Sequence, residues 1–242
     1  MIAEHTQTSP RSSTDRAEST GKVRRRGKFK LFAVVAAVII LAWIGFDVYG
    51  PRSSSLRNFD PNEVARLETA MWRSYYDKRE VLLFRQLAEL MRTQYNLPLI
   101  RSNTVAYQAA RAAFVFKDGR NRSDYEKALP NLENFYAAIR KVSDIPFDVD
   151  RAARLELEWW IVHRDRRSHA AGDLDRALAD LQAELYKVPV ERLAEHARLR
   201  AEAMTIRDNK AEEGGVTEAD WARIDKLLHG SWQSLWRAVN ER

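Results

Sequence analysis

Four polar side chains fall where apolar ones belong. Glu68 lies between Val64, Met71, Trp72 and Tyr75 at helical spacing, and Arg200 sits among Leu193, Ala197 and Met204. Glu156 and His163 are seven residues apart, so both fall on the side of their segment that carries Trp159 and Trp160. Positions three, four and seven apart share one helix face, so these groups project from stripes that otherwise turn inward. A buried charge without a partner costs several kcal/mol, and each must therefore pair or reach water. Two chemistries suit the set. One is a Glu–Arg network that fixes helix register, in which Arg200 pairs with Glu156 or Glu68. The other is a polar pocket for a small molecule or metal, formed by Glu68, Glu156, His163 and Arg200.

Other chemistries are excluded by what the residues lack. A carboxylate-bridged di-metal site in a helical bundle needs Glu-x-x-His on two helices, and that tetrapeptide does not occur. There is no His-Glu-x-x-His, no phosphate-binding Gly-x-x-x-x-Gly-Lys loop and no Gly-x-Gly-x-x-Gly. The chain contains no cysteine, which removes thiol catalysis and thiolate metal sites. Asp148-Val149-Asp150 has the look of a metal-sugar-nucleotide motif, but that chemistry sits on strands, and helix capping accounts for both aspartates. No catalytic, cofactor-binding or metal-ligating residue is assigned, and no cofactor is expected. One surface candidate is Trp236, beside the stripe Trp221, Ile224, Leu228, Trp232, Leu235 and Val239; exposed, it would mark a docking surface for a protein partner.

The elements that must position these residues all read as helices. Asp60-Pro61-Asn62-Glu63 is a helix start, with an acidic cap and Pro in the first turn. The helix it opens is expected to run to about Tyr95, before Pro98. Ser102 is expected to cap a second helix ending near Lys117. Ser123-Asp124-Tyr125-Glu126 reads as a capping box for a third, bent near Pro130. Further helices are expected over 150–167, 174–187 and from Pro189 to before Gly214, with a last one starting at Thr217-Glu218-Ala219-Asp220. No segment alternates apolar and polar residues, so the expected fold is all-α, a bundle or short helical repeat of about seven helices behind one membrane helix.

Glu126-Lys127-Ala128-Leu129-Pro130-Asn131-Leu132 aligns with Asp175-Arg176-Ala177-Leu178-Ala179-Asp180-Leu181 at an offset of 49. The second copy continues to Tyr186 and Pro189. It resembles the second helix of a tetratricopeptide repeat, with Ala177 as the small packing residue, Leu181 at the aromatic position and Pro189 at the terminal proline. The spacing exceeds that family's 34 residues and the first-helix Gly is missing. The resemblance implies a scaffold that holds peptides or partner proteins in a groove.

Location follows from Leu31–Phe46, a stretch without charge, extended to 29–49 by Phe29, Lys30 and Asp47-Val48-Tyr49. That length fits a bilayer core, with Lys30 reaching back to the headgroups and Trp43 and Tyr49 at the far interface. Residues 1–30 hold eight Lys and Arg against three acidic residues, five of the chain's six net positive charges. The rest is almost neutral, so the basic balance argues against a nucleic-acid partner. Charge asymmetry of this kind keeps the N-terminus in the cytoplasm and sends the C-terminal part across, as an uncleaved signal anchor. The expected organisation is a disordered basic cytoplasmic tail over 1–28, a transmembrane anchor over 29–49, a linker over 50–59 and an extracytoplasmic helical domain over 60–242. Partners are then the lipid bilayer through 29–49 and a protein met outside, at the inner membrane of a bacterium by the association of an Arg- and Ala-rich composition. The expected function is a non-enzymatic interaction or scaffold protein; the alternative is a ligand-binding or enzymatic helical domain using the four-residue pocket.

Overall fold

The computed structural model describes residues 15–50 and 53–241, with the backbone alone over 15–30. The chain divides into two units, 1–49 and 50–242. The first is one helix, α1 (Asp15–Tyr49), whose segment Leu31–Tyr49 is long and apolar enough to cross a membrane. Most apolar side chains of that segment, including Leu31, Phe32, Ile39 and Leu41, stand exposed. The first fourteen residues of the expected tail lie outside the described residues, and 15–28 form the N-terminal part of α1.

The second unit is all-α. Its helices are α2 (Pro61–Tyr76), α3 (Glu80–Tyr95), α4 (Leu99–Asp118), α5 (Arg122–Tyr125), α6 (Leu129–Arg140), α7 (Val149–Arg164), α8 (Asp173–Tyr186), α9 (Ala194–Glu212) and α10 (Glu218–Asn240). Among the described residues there is no strand, only an isolated bridge between Ser54 and Ser143. Apart from the four-residue α5, each helix packs on the next in sequence, and α10 packs on both α9 and α2. The chain therefore closes into a ring. Closure buries the end faces that an open array of repeats would leave exposed. The two aligned segments fall on a short 3-10 turn (Glu126–Ala128) with the start of α6, and on α8, where Ala128, Leu132, Ala177 and Leu181 are all buried.

Local signals explain several starts. The Asp60 carboxylate accepts from the Asn62 and Glu63 amides ahead of Pro61. Asp148 accepts from Arg151 N, and Thr217 with Asp220 forms a full capping box, Thr217 Oγ1 accepting from Asp220 N at 3.2 Å and Asp220 Oδ2 from Thr217 N at 2.9 Å. Thr217→Ala is expected to cost about 1 kcal/mol in a thermal or denaturant melt, the usual loss for such a cap.

Four boundaries differ from the sequence reading. The helix expected to reach Tyr95 breaks at Asp77–Arg79, where Lys78 takes a left-handed φ of 57° and Arg79 N donates to Ser74 O. No Gly or Pro marks that turn; the break lets the α2 and α3 faces pack on each other. Ser102 is not a cap. It lies inside α4, fully buried, with its hydroxyl donating to Leu99 O, and Pro98 stands at the N-cap. Asn121 replaces Ser123 as the cap of α5, its Oδ1 accepting from Asp124 N. Finally, 53–59 belongs to the folded unit instead of forming a linker. Leu56 and Phe59 are buried, and Ser54 N donates to Val142 O.

The ring has two distinct ends. Residues 54–58 gather the C-terminal ends of α3, α6, α8 and α10. Ser54 Oγ donates to Tyr95 O, the Arg57 guanidinium to Tyr186 O, and Asn240 Nδ2 to Arg57 O. The C-terminal ends of α2, α4, α7 and α9 lie at the opposite end, around a cleft.

Candidate functional site

The floor of the cleft is the predicted ion pair. Glu68 on α2 projects inward because its neighbours on that face, Val64, Ala65 and Leu67, are core. Its Oε1 accepts from Arg200 Nε at 3.0 Å and Nη2 at 2.7 Å, and its Oε2 accepts from Trp232 Nε1 at 2.5 Å. The Glu68 side chain is 4% exposed and that of Arg200 14%. Three helices, α2, α9 and α10, are thus tied through one carboxylate. Burial works against the Arg200 charge, but Glu68, with Glu156 farther off, holds its pKa above the ordinary arginine value. Trp232→Phe keeps the ring and deletes the N–H donor; a loss of about 1–3 kcal/mol is expected on unfolding by denaturant, because a buried carboxylate oxygen loses its partner.

Glu156 does not touch Arg200. Its oxygens accept from Tyr136 Oη on α6 at 2.6 Å and from Trp160 Nε1 at 3.0 Å. Burial and then the Glu156 charge push the Tyr136 hydroxyl well above its usual pKa, so it stays a donor. Of the alternatives for Arg200, Glu68 is the partner. His163 belongs to a separate cluster. Its Nε2 lies 3.1 Å from Asp208 Oδ2, close enough for an ion pair though not aligned as a hydrogen bond. Asp208 also meets Arg207 at 3.0 Å and Arg166 at 3.4 Å. Burial raises its pKa, but contact with His163, Arg207 and Arg166 outweighs that, so the carboxyl sits below the usual range and is ionised.

Above this floor lies a cleft of about 480 Å³, within the size range of small-ligand sites. Its walls are aromatic: Trp72, Tyr75 and Tyr76 from α2, Phe116 from α4, Trp159 and Trp160 from α7. Its charges are mostly positive. Lys117, Arg164, Arg166, Arg200 and Arg207 line it against Asp208 as the one carboxylate in the lining, with Glu68 below and Glu212 pairing Arg166 and Arg167 at the rim. Several arginines lie on aromatic faces: Arg200 over Trp159 at 5.2 Å, Arg164 over Phe116 at 4.2 Å, and Arg207 over Tyr76. Arg164 also donates to Phe116 O, Lys117 O and Gly119 O, closing the C-terminal end of α4. Three buried ring or guanidinium nitrogens of lining residues, Trp159 Nε1, His163 Nε2 and Arg207 Nε, have no hydrogen-bond partner in the protein.

Of the four residues expected in one pocket, Arg200 and His163 line the cleft, Glu68 lies beneath it, and Glu156 is held by Tyr136 and Trp160. Trp236 is 36% exposed, as a docking residue would be, but it lies toward the C-terminal end of α10, away from the cleft. Sequence reasoning missed Arg207 and Asp208. Both were within reach, since 200, 204, 207 and 208 lie on one face of α9 by the same spacing that singled out Arg200. Among the described residues no group of His, Asp and Glu is placed to hold a metal ion.

No family model matches this chain, and neither the curated proteins nor the solved structures contain a match.

Proposed function

We propose that this is a single-pass membrane protein whose extracytoplasmic helical ring binds an anionic ligand in its end cleft, without chemistry of its own. The observation that carries this reading is the lining itself: five cationic side chains over aromatic walls. Among the described residues neither Lys117 nor Arg164 pairs with a carboxylate, so the lining keeps positive charge that an anion would balance. The cleft lining has no Ser, Thr or Cys to act as a nucleophile, and Asp208 is engaged by His163, Arg166 and Arg207. The membrane and the sidedness rest on the apolar length of Leu31–Tyr49 and on the basic residues before it. The cleft opens at the end of the ring opposite residues 53–59.

A second reading, a scaffold for a partner protein, is favoured by exposed apolar residues at the same end: Tyr75 (47% exposed), Val81 (79%) and Leu82 (39%). They would form a rim for a protein that presents the anion.

The absence of native cysteine permits a direct test. Ala113 lines the cleft and is exposed; Ala194, also exposed, starts α9 at the other end. In intact cells, Ala113→Cys should react with a membrane-impermeant anionic thiosulfonate several times faster than with its cationic analogue, relative to Ala194→Cys. Reaction only after the cells are permeabilised would reverse the sidedness, and an equal or inverted rate ratio would remove the anion site.

A further inference from the structure

Resting on the anion-binding reading above, we infer that the cleft takes an organic phosphate, with its doubly charged head at the mouth against Lys117 and Arg164 and its apolar body along the aromatic walls. The seat follows from which cations are already spent. Arg200 gives its Nε and Nη2 to Glu68. Arg166 and Arg207 pair with Asp208, and Arg166 also with Glu212. Among the described residues Lys117 and Arg164 pair with no carboxylate, and their sequence neighbours Asp118 and Asp165 do not line the cleft. Arg164 Nη2 donates to Lys117 O at 3.2 Å, so the two unbalanced charges stand side by side, where α4 and α7 end.

The head group follows from the donors that remain. Arg164 spends Nη1 and Nη2 on Phe116 O, Gly119 O and Lys117 O, bonds that leave its unit charge in place. With Arg200 on Glu68, Arg166 on Asp208 and Glu212, and Arg207 on Asp208 with its Nε enclosed, no arginine of the lining keeps a two-nitrogen fork free. Such a fork is what matches a planar carboxylate. What remains is the Lys117 ammonium, a point charge that selects on charge more than on shape, beside the field of Arg164. A phosphate monoester, carrying about two negative charges at neutral pH, gains most there. Lys117 is exposed, whereas Glu68 and Arg200 form the floor, so the head keeps part of its hydration at the mouth. The body meets Phe116, Trp160 and Trp159, whose successive ring centroids are 5.2 and 6.1 Å apart, and finds faces and edges to stack on.

The test is calorimetric titration of the full chain in detergent at about pH 7.5, above the second phosphate pKa of roughly 6, with micelle-only dilutions as blanks. The probes are 2-naphthyl phosphate, 2-naphthoate, neutral 2-naphthol and inorganic phosphate. Saturable binding of naphthyl phosphate at least tenfold tighter than the other three is expected. Lys117→Gln, at an exposed position that should not disturb folding, should weaken it about tenfold and shrink its advantage over naphthoate. Lys117→Arg should restore most of the loss, and Arg154→Gln on the outer surface of α7 should change nothing. Naphthoate bound as tightly as naphthyl phosphate overturns the doubly charged head, and inorganic phosphate bound as tightly overturns the apolar body; both leave the anion site standing. An unchanged affinity in Lys117→Gln overturns the seat. Naphthol bound as tightly as naphthyl phosphate, or no binding of any probe, overturns this inference and the anion site together.

Discussion

Arg200→Met is expected to lower the unfolding free energy by about 3–5 kcal/mol, the cost of leaving a buried carboxylate without its counter-charge. Glu68 would keep only the Trp232 indole as a donor, in a site 4% exposed. For a domain of this size the melting temperature moves roughly 2–4 °C per kcal/mol, so a fall on the order of 10 °C should be seen. Met retains most of the arginine's aliphatic contact with the core, which separates charge from packing. The double variant Glu68→Gln/Arg200→Met buries no charge and should recover much of the loss. An unchanged midpoint for the single variant would mean that the ion pair does not hold α2 to α9.

Acidification should destabilise the fold well above the carboxylate range, and His196 is the reason. It is fully buried on α9, with Nδ1 3.0 Å from Ser231 O and 2.8 Å from Ser231 Oγ on α10. Burial, and then the nearby Arg200 charge, depress its pKa from 6.5 to about 3, while the bond to Ser231 opposes them. The unfolded chain therefore takes up a proton near pH 6.5 that the folded protein refuses until about pH 3. Between those values the unfolded state binds more protons, so stability falls as pH falls. From pH 7 to pH 5 the loss from this one group is about 2 kcal/mol. Asp208, whose folded pKa is lowered, adds its own loss only at lower pH, as its carboxylate protonates. Denaturant midpoints at pH 7, 6 and 5 measure the slope. His196→Gln, less stable at neutral pH, should have a nearly flat profile over that range; an unchanged slope would place the proton uptake at another group.

Much of this molecule was legible in the sequence, for identifiable reasons. Helical periodicity marked the all-α class, and the Thr217 box and Asp148 cap were read correctly because both are local hydrogen-bond chemistry. The Glu68–Arg200 pair could be anticipated because a charge in an apolar stripe must find an opposite charge, although 132 residues separate the two. The break at Lys78 was not legible: it contains neither Gly nor Pro, and only packing of α2 on α3 requires it. Ring closure was equally hidden, since contact between α10 and α2 is a property of helix angles summed around the chain. The cleft depends on that closure. Arg207 and Asp208 were readable as one face of α9, but their convergence with Tyr76 and Trp159 needed the fold.

The most direct test of the anion-binding cleft uses the chain's seven tryptophans. In a nitrogen–proton spectrum of the full chain, the indole N–H signals can be followed during titration with cyclohexanecarboxylate, an anion with no aromatic ring to shift them indirectly. The Trp159 signal, from a ring that lines the cleft against Arg200, should move and saturate, while that of Trp232, already bonded to Glu68, should stay in place. A Trp159 signal that does not move at saturating anion would contradict the account.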